Sequence, residues 1–160
     1  MASKTRLRRR VPAVSGGYRR LLVPVLGNPE SERAVEVACR LAAERRASIT
    51  AITVIEVPPL LPLDARMTEE EAEARRLHGR ATTIADAYGV TVVFRTVRAR
   101  EAGTAILEEL EKSDAELVVI GATRKIRANR RTTAFGRNVQ HVLMKASCRV
   151  LLVAAAPGPV

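Results

Sequence analysis

The stretch "YRRLLVPVLGNPESERAVEVACRLAAERR", residues 18–46, carries the clearest structural pattern in the chain. It begins with a short apolar run, residues 20–26, which is typical of a buried strand. Asn28 follows as a helix N-cap, and Pro29 takes the first helical position, where its missing N–H costs nothing. Small apolar residues then recur at helical spacing, at Ala34, Ala38, Leu41 and Ala42. The stretch therefore predicts a strand that runs directly into an amphipathic helix.

The rest of the chain repeats this alternation of strand and helix. Strands are predicted from the apolar and β-branched runs at 48–57, 90–97, 117–120 and 149–155, and helices from the amphipathic segments at 68–89, 102–113 and 137–146. Thr68, followed three residues later by Glu71, predicts a capping box at the start of the second helix. Gly89 predicts the end of that helix. Five strands alternating with four helices indicate an α/β fold with a parallel sheet covered by helices on both faces.

The composition fits such a sheet. Trp is absent, and there are two Phe and two Tyr among 160 residues, so the core must consist of Val, Leu, Ile and Ala. Strands buried on both faces have this aliphatic character. Cys39 and Cys148 lack the CxxC spacing of a zinc or redox site and are expected to be buried thiols. His78 and His141 have no Cys or acid at ligand spacing, so no metal site is expected.

The net charge of +10 comes from two short segments. Seven basic residues and no acid lie in the first twenty positions, and six more lie between 124 and 137, so the remainder of the chain carries −3. Such segments attract phosphates of a nucleotide, a nucleic acid or an anionic membrane, and charge alone does not choose among them. The N-terminal arm has no aromatic residue on which a base would stack, so specific nucleic-acid recognition is not expected.

The expected organisation is a flexible basic arm at 1–17, one domain at 18–155 and a short tail at 156–160. One domain is the normal outcome for this length. No apolar run approaches the roughly twenty residues of a membrane span, and the N-terminus lacks the apolar core of a signal peptide. A cytoplasmic location follows as an expectation.

The stretch "GATRKIRANRRTTAFGRNV", residues 121–139, is the candidate site. Fourteen residues separate its two glycines, which is longer than the roughly 2 to 6 residues usual for connections in α/β units. The segment is either an anion or nucleotide site, a partner-binding or ordered structural loop, or a solvated connection. The helix N-terminus at Gly136 favours the first interpretation, because such ends bind anions.

Three stretches together resemble the universal stress protein family: "YRRLLVPVLGNPESERAVEVACRLA", "AELVVIGA" and "FGRNVQHVLMKASCRVLLV". The resemblance covers about residues 18–154. It implies a Rossmann-like three-layer sandwich with five parallel strands and four helices, dimerised through the last strand. It also implies a cytoplasmic role in stress response or signalling, with ATP bound in many members and absent from others.

Nucleotide-binding members carry the signature G-x2-G-x9-G-(S/T) and an Asp after the first strand. Gly121 and Gly136 match the first and last glycines, and Val54 matches the position whose backbone meets the adenine. In contrast, Leu26 stands where the family has Asp, and Arg124 replaces the second glycine. The intervening loop is also two residues longer, and Arg137 replaces the Ser or Thr.

The resemblance thus assigns a nucleotide site between the ends of the first and fourth strands, formed by Pro24, Val25, Leu26, Val54, Gly121, Ala122, Arg124, Gly136, Arg137 and Asn138. Arg127 and Arg130 are expected to close over the phosphates, and the expected ligand is ATP with Mg²⁺ or a related nucleotide or anion. No catalytic residue is assigned, because the chain lacks a P-loop lysine motif and a visible general base. The alternative is a nucleotide-free homodimer that recruits an acidic protein through its basic loop and arm.

Overall fold

The computed structural model describes residues 17–123, 125–126 and 133–155. Its elements in chain order are β1 (Arg20–Pro24), α1 (Pro29–Arg45), β2 (Ser48–Glu56), α2 (Thr68–Ala87), β3 (Val92–Ala99), α3 (Ala102–Lys112), β4 (Leu117–Ala122), β5 (Lys125–Ile126), β6 (Thr133–Ala134), α4 (Arg137–Lys145) and β7 (Arg149–Ala154). The alternation predicted from the sequence is confirmed. The short antiparallel hairpin β5–β6, inside the basic loop, was not predicted.

The five long strands form one parallel sheet in the order β3-β2-β1-β4-β7. Helices α1 and α2 cover one face of the sheet, and α3 and α4 cover the other. This is the predicted three-layer α/β sandwich. The predicted arm, apart from Gly17, and the predicted tail lie outside the described residues.

The core consists of two aliphatic clusters, one on each face of the sheet. Along β1, Leu21 and Val23 belong to the cluster under α1 and α2, while Leu22 belongs to the cluster under α3 and α4. This alternation follows from the two-residue period of a strand. Cys39 is fully buried, as expected, whereas Cys148 is only half-buried. Burial raises the pKa of both thiols.

The two long helices begin differently from one another. The Asn28 cap of α1 is confirmed, because its side chain accepts a hydrogen bond of 2.8 Å from the Ser31 N–H. The capping box predicted for α2 is wrong. Met67 is the N-cap, and its carbonyl accepts from the Glu71 N–H at 2.9 Å. The Glu71 carboxylate pairs instead with Arg98 on β3, so it does not reach back to the cap. The predicted end at Gly89 is confirmed by its left-handed φ of 65°.

None of the described helices is both long enough and apolar enough to cross a bilayer.

Candidate functional site

A crevice is expected at the carboxyl end of the sheet, between β1 and β4. Strand β1 pairs with β2 on one side and with β4 on the other, so the strand order reverses at this point. Ligands of open α/β sheets bind outside the carboxyl ends of the strands where this reversal occurs. The predicted location of the site therefore coincides with the switch point of the observed topology.

The end of β1, at the edge where the crevice is expected, is apolar. Pro24 and Val25 are buried, and the Val25 N–H donates to the Ile52 carbonyl at 2.8 Å. Leu26 is half-buried and packs against the cluster under α3 and α4, on which Val54 also lies. Leu26 and Val54 thus face the same side of the sheet and form an apolar surface, with no carboxylate at position 26.

Strand β2 extends beyond the end of β1 and offers backbone groups there. The pairing of β1 with β2 ends at Pro24 and Ile52, two residues before Val54. Peptide groups alternate between the two sides of a strand, so those of Val54 point to the same side as those of Ile52. Because β1 has ended, the Val54 N–H and C=O project past it toward the crevice. This geometry suits the hydrogen-bonding edge of a planar heterocycle.

The first turn of α1 is closed by its own side chains. The Ser31 hydroxyl donates to Asn28 Oδ1 at 2.8 Å and accepts from the Leu26 N–H at 3.0 Å. Ser31 is completely buried. Since the cap and the serine already satisfy these groups, this helix start is not arranged to bind an anion.

Gly121 lies directly beneath that first turn. A Cβ built on Gly121 would come within 2.3 Å of the backbone C and O atoms of Glu30, so only glycine allows β4 and α1 to pack this closely. Ala122 is buried in the cluster under α3 and α4. Next to them, the Thr123 hydroxyl donates to the Glu30 carboxylate at 2.9 Å. Glu30 is only 8% exposed, and this contact ties the end of β4 to α1.

Among the described residues, the start of α4 has no neighbour that closes it. Gly136 is the N-cap and has no side chain to cap the helix, and a Cβ built there would meet no described atom within 4 Å. The first intrahelical bond runs from the Gln140 N–H to the Gly136 carbonyl at 3.1 Å. The N–H groups of Arg137 and Asn138 therefore have no partner within the helix. No acidic side chain lies in this turn, and Arg137 is exposed.

The structure brings most of the predicted residues to one edge of the sheet. Strand ends and the start of α4 place Pro24, Val25, Leu26, Val54, Gly121, Ala122, Gly136, Arg137 and Asn138 there. Arg124, Arg127 and Arg130 lie outside the described residues, so their predicted roles stay predictions. Within the part of the chain that is described, no cluster of three or more His, Cys, Asp or Glu side chains is placed to hold a metal ion.

Two neighbours of the site were missed by sequence reasoning. Phe135 packs on the same cluster as Leu26 and Val54, immediately before Gly136. The Glu30–Thr123 contact joins residues 93 positions apart. No local spacing in the sequence signals this contact. Chemically, the arrangement combines an apolar surface, a projecting peptide edge and a helix N-terminus suited to an anion.

Comparison with known proteins agrees with the observed fold. Residues 17–154 match the model of the universal stress protein family. The chain is 30% identical over 148 residues to the universal stress protein MJ0531 of Methanocaldococcus jannaschii, covering 85% of this chain and 82% of that protein.

Two solved structures show the same fold. A universal stress protein of Archaeoglobus fulgidus in complex with dAMP matches with a TM-score of 0.66 and 20% identity, over 85% of this chain and 98% of that chain. A universal stress protein in complex with cAMP matches with a TM-score of 0.68 and 23% identity, over 88% of this chain and 99% of that chain.

Proposed function

Because the chain belongs to the universal stress protein family, we propose that it binds ATP or a related adenine nucleotide at the ends of β1 and β4 and acts as a cytoplasmic stress-response or signalling module. This proposal rests on two features that lie at the same edge of the sheet, where the strand order reverses between β1 and β4. The Val54 peptide edge projects past β1, and no described residue covers the start of α4 at Gly136. The dAMP and cAMP complexes of structural neighbours support the same ligand class.

The proposed nucleotide would be held from both ends. Its adenine lies against Leu26 and Val54, with the Val54 peptide groups hydrogen-bonded to the ring edge. Its phosphates lie on the N–H groups of Arg137 and Asn138, where the dipole of α4 favours negative charge. The Arg137 guanidinium adds forked donors to a phosphate. Mg²⁺ binds to the phosphates of the nucleotide as their counter-ion.

Leu26 weakens the nucleoside end of this site. A polar group of adenine or ribose placed against Leu26 without a hydrogen bond costs about 1 to 3 kcal/mol. This corresponds to a loss of about 5-fold to 150-fold in affinity. Binding is therefore led by the phosphates, and ATP is expected to bind more tightly than AMP.

Calorimetric titration of the protein with ATP and Mg²⁺ tests the proposal. Arg137→Ala should weaken ATP binding by about tenfold, because it removes a charge-assisted hydrogen bond. Lys145→Ala is the matched control, since Lys145 is an exposed cation at the opposite end of the same helix. Loss of affinity in both variants would indicate general charge attraction and would count against a site at the start of α4.

A second candidate is a nucleotide-free homodimer that acts through an acidic protein partner. It is favoured by Leu26 in place of an acid, and by exposed apolar side chains on α4 and on the edge strand β7, at Leu143, Met144 and Leu151. We propose dimerisation through β7 in either case. Under the second candidate, wild-type protein gives no heat with ATP, and Leu26→Asp makes ATP binding measurable.

A further inference from the structure

We propose that the connection between β2 and α2, residues 57–66, binds a basic amphipathic segment of a partner protein. This connection, here called the leucine loop, carries Leu60, Leu61 and Leu63 at 97%, 42% and 46% exposure. Singly exposed apolar residues are common, but three within four positions form an apolar tip. The inference goes beyond the proposed nucleotide site, since none of these leucines belongs to it.

The leucine loop has a small core of its own. Ile55 near the end of β2, Val57 at the start of the loop and Met67 just before α2 form a separate buried cluster. This cluster packs both ends of the loop against the domain. The three leucines remain in contact with water although the loop is packed in this way.

Two arginines at the end of β3 hold the leucine loop in place. Arg100 Nη1 donates to the carbonyls of Pro58 at 2.5 Å and Leu61 at 2.8 Å. Arg98 Nη1 donates to the Ala65 carbonyl at 2.6 Å. Because the loop is ordered before it meets a partner, little conformational entropy is lost on docking.

Exposed carboxylates flank the leucines on both sides of the loop. They lie at the end of β2, within the loop, in the first turn of α2 and directly after β3. This set, here called the acidic rim, consists of Glu56, Asp64, Glu69, Glu70 and Glu101. Among the described residues, Asp64, Glu69 and Glu70 have no ion-pair partner. Their charges are therefore available to a partner.

The cations of the same region do not balance the acidic rim. Arg98 is paired with Glu71, and Arg100 donates to carbonyls of the loop. Arg66 and Arg75 are exposed and have no ion-pair partner among the described residues. Five carboxylates thus face two such guanidinium groups, and the surface around the leucines is negative.

This charge selects the kind of partner that can cover the leucines. The acidic rim repels anionic lipid and nucleic acid, and a second copy docked symmetrically would set one acidic rim against the other. A segment with apolar residues on one side and Lys or Arg on the other matches both the leucines and the carboxylates. The net charge of +10 comes from residues 1–20 and 124–137, and the remainder of the chain carries −3. Salt screens exposed charges beyond about 8 Å at physiological ionic strength, so the local charge governs docking.

Fluorescence anisotropy of a labelled peptide with the full-length chain tests this inference. The probe is a peptide of leucine and lysine patterned as an amphipathic helix. Wild-type protein should bind it, and the affinity should fall as the salt concentration rises. Two matched peptides, one with glutamate in place of lysine and one with alanine in place of leucine, should bind much more weakly.

Substitutions of the leucines test the apolar part of the surface. Leu60→Ser/Leu63→Ser should lower the affinity for the leucine–lysine peptide by about tenfold or more, because two leucines no longer leave water on binding. The control is Val93→Ser, since Val93 is 58% exposed at the amino end of β3, away from the loop. It should bind like wild type. Leu60 is almost fully exposed, so Leu60→Ser should leave the unfolding temperature unchanged.

Substitutions of the carboxylates test the charged part. Asp64→Asn/Glu69→Gln/Glu70→Gln should lower the affinity by about fivefold and make it less dependent on salt, because three exposed charge pairs are lost. Glu44→Gln is the control, since Glu44 is an exposed acid near the end of α1, outside the acidic rim. It should bind like wild type.

Four results would overturn the inference. Equal affinity of Leu60→Ser/Leu63→Ser and wild type would remove the leucines from the surface, and equal binding of the glutamate peptide would show that the acidic rim does not select the partner. Leucine-dependent sedimentation with phosphatidylglycerol vesicles, without binding of the leucine–lysine peptide, would assign the loop to lipid. A smaller oligomeric mass of Leu60→Ser/Leu63→Ser would show that a second copy of the chain covers the loop.

Discussion

Replacing Gly121 by Ala should destabilise the protein strongly, although the change adds one methyl group. The new Cβ would lie 2.3 Å from the C and O atoms of Glu30 and 2.5 Å from the Ser31 N, and all three are backbone atoms. Backbone cannot move aside as the end of a flexible side chain can, so α1 and β4 must separate. We expect a loss of about 3 kcal/mol, at the upper end of the usual range for overpacking. For a protein of this size, the unfolding temperature should fall by roughly 6 to 12 °C.

Two other glycines supply the controls. A Cβ on Gly79, in the middle of α2, or on Gly136 meets no atom of the described residues within 4 Å. Gly79→Ala should therefore stabilise the protein by about 0.5 to 1 kcal/mol through helix propensity. Gly136→Ala should cost about 0.5 to 1 kcal/mol, because Ala is a poorer N-cap residue than Gly. Urea unfolding followed by circular dichroism gives the three free energies. A loss below about 0.5 kcal/mol for Gly121→Ala would refute the close approach of α1 to β4.

Two further predictions concern the outer strand β3. His78 contacts Phe94 with ring centroids 5.0 Å apart, and burial lowers the His78 pKa below its ordinary value of 6.5. The unfolded chain therefore binds a proton at His78 more readily than the folded protein does, so the free energy of unfolding should fall as the pH decreases through about 6.5. Urea titrations at pH 7.5 and pH 5 measure this fall, and it should be smaller for His78→Leu. Glu109, whose side chain is 2% exposed, lies 2.9 Å from Arg95, so Arg95→Leu should cost about 1 to 3 kcal/mol. The double variant Arg95→Leu/Glu109→Leu should recover most of this loss, and a double variant no more stable than Arg95→Leu would contradict the reasoning.

Local signals in the sequence predicted the elements of the fold well. The Asn28 cap, Pro29 and Gly89 each act through the conformation of one or two residues. The start of α1 and the end of α2 could therefore be predicted without knowledge of the tertiary structure. The capping box at Thr68 failed for the opposite reason. Glu71 lies close enough to Arg98 to pair with it only once β3 has formed beside α2, and that ion pair replaces the local one.

The candidate site could be placed from the sequence only in outline. Strand ends and the glycine before α4 located the edge of the sheet, because parallel strands share one direction. The packing role of Gly121 was not readable, since it depends on how closely α1 crosses β4. The Glu30–Thr123 contact likewise joins segments far apart in the sequence, and no local spacing encodes it.

The most direct test of the account is the position of the nucleotide on the protein. We would titrate ¹⁵N-labelled protein with ATP and Mg²⁺ and follow the backbone amide resonances. The largest shifts should occur at Val54, Arg137 and Asn138, with little change at Val93 at the amino end of β3. Shifts concentrated away from the ends of β1 and β4, or no shifts at any ATP concentration that saturates known binders, would contradict it.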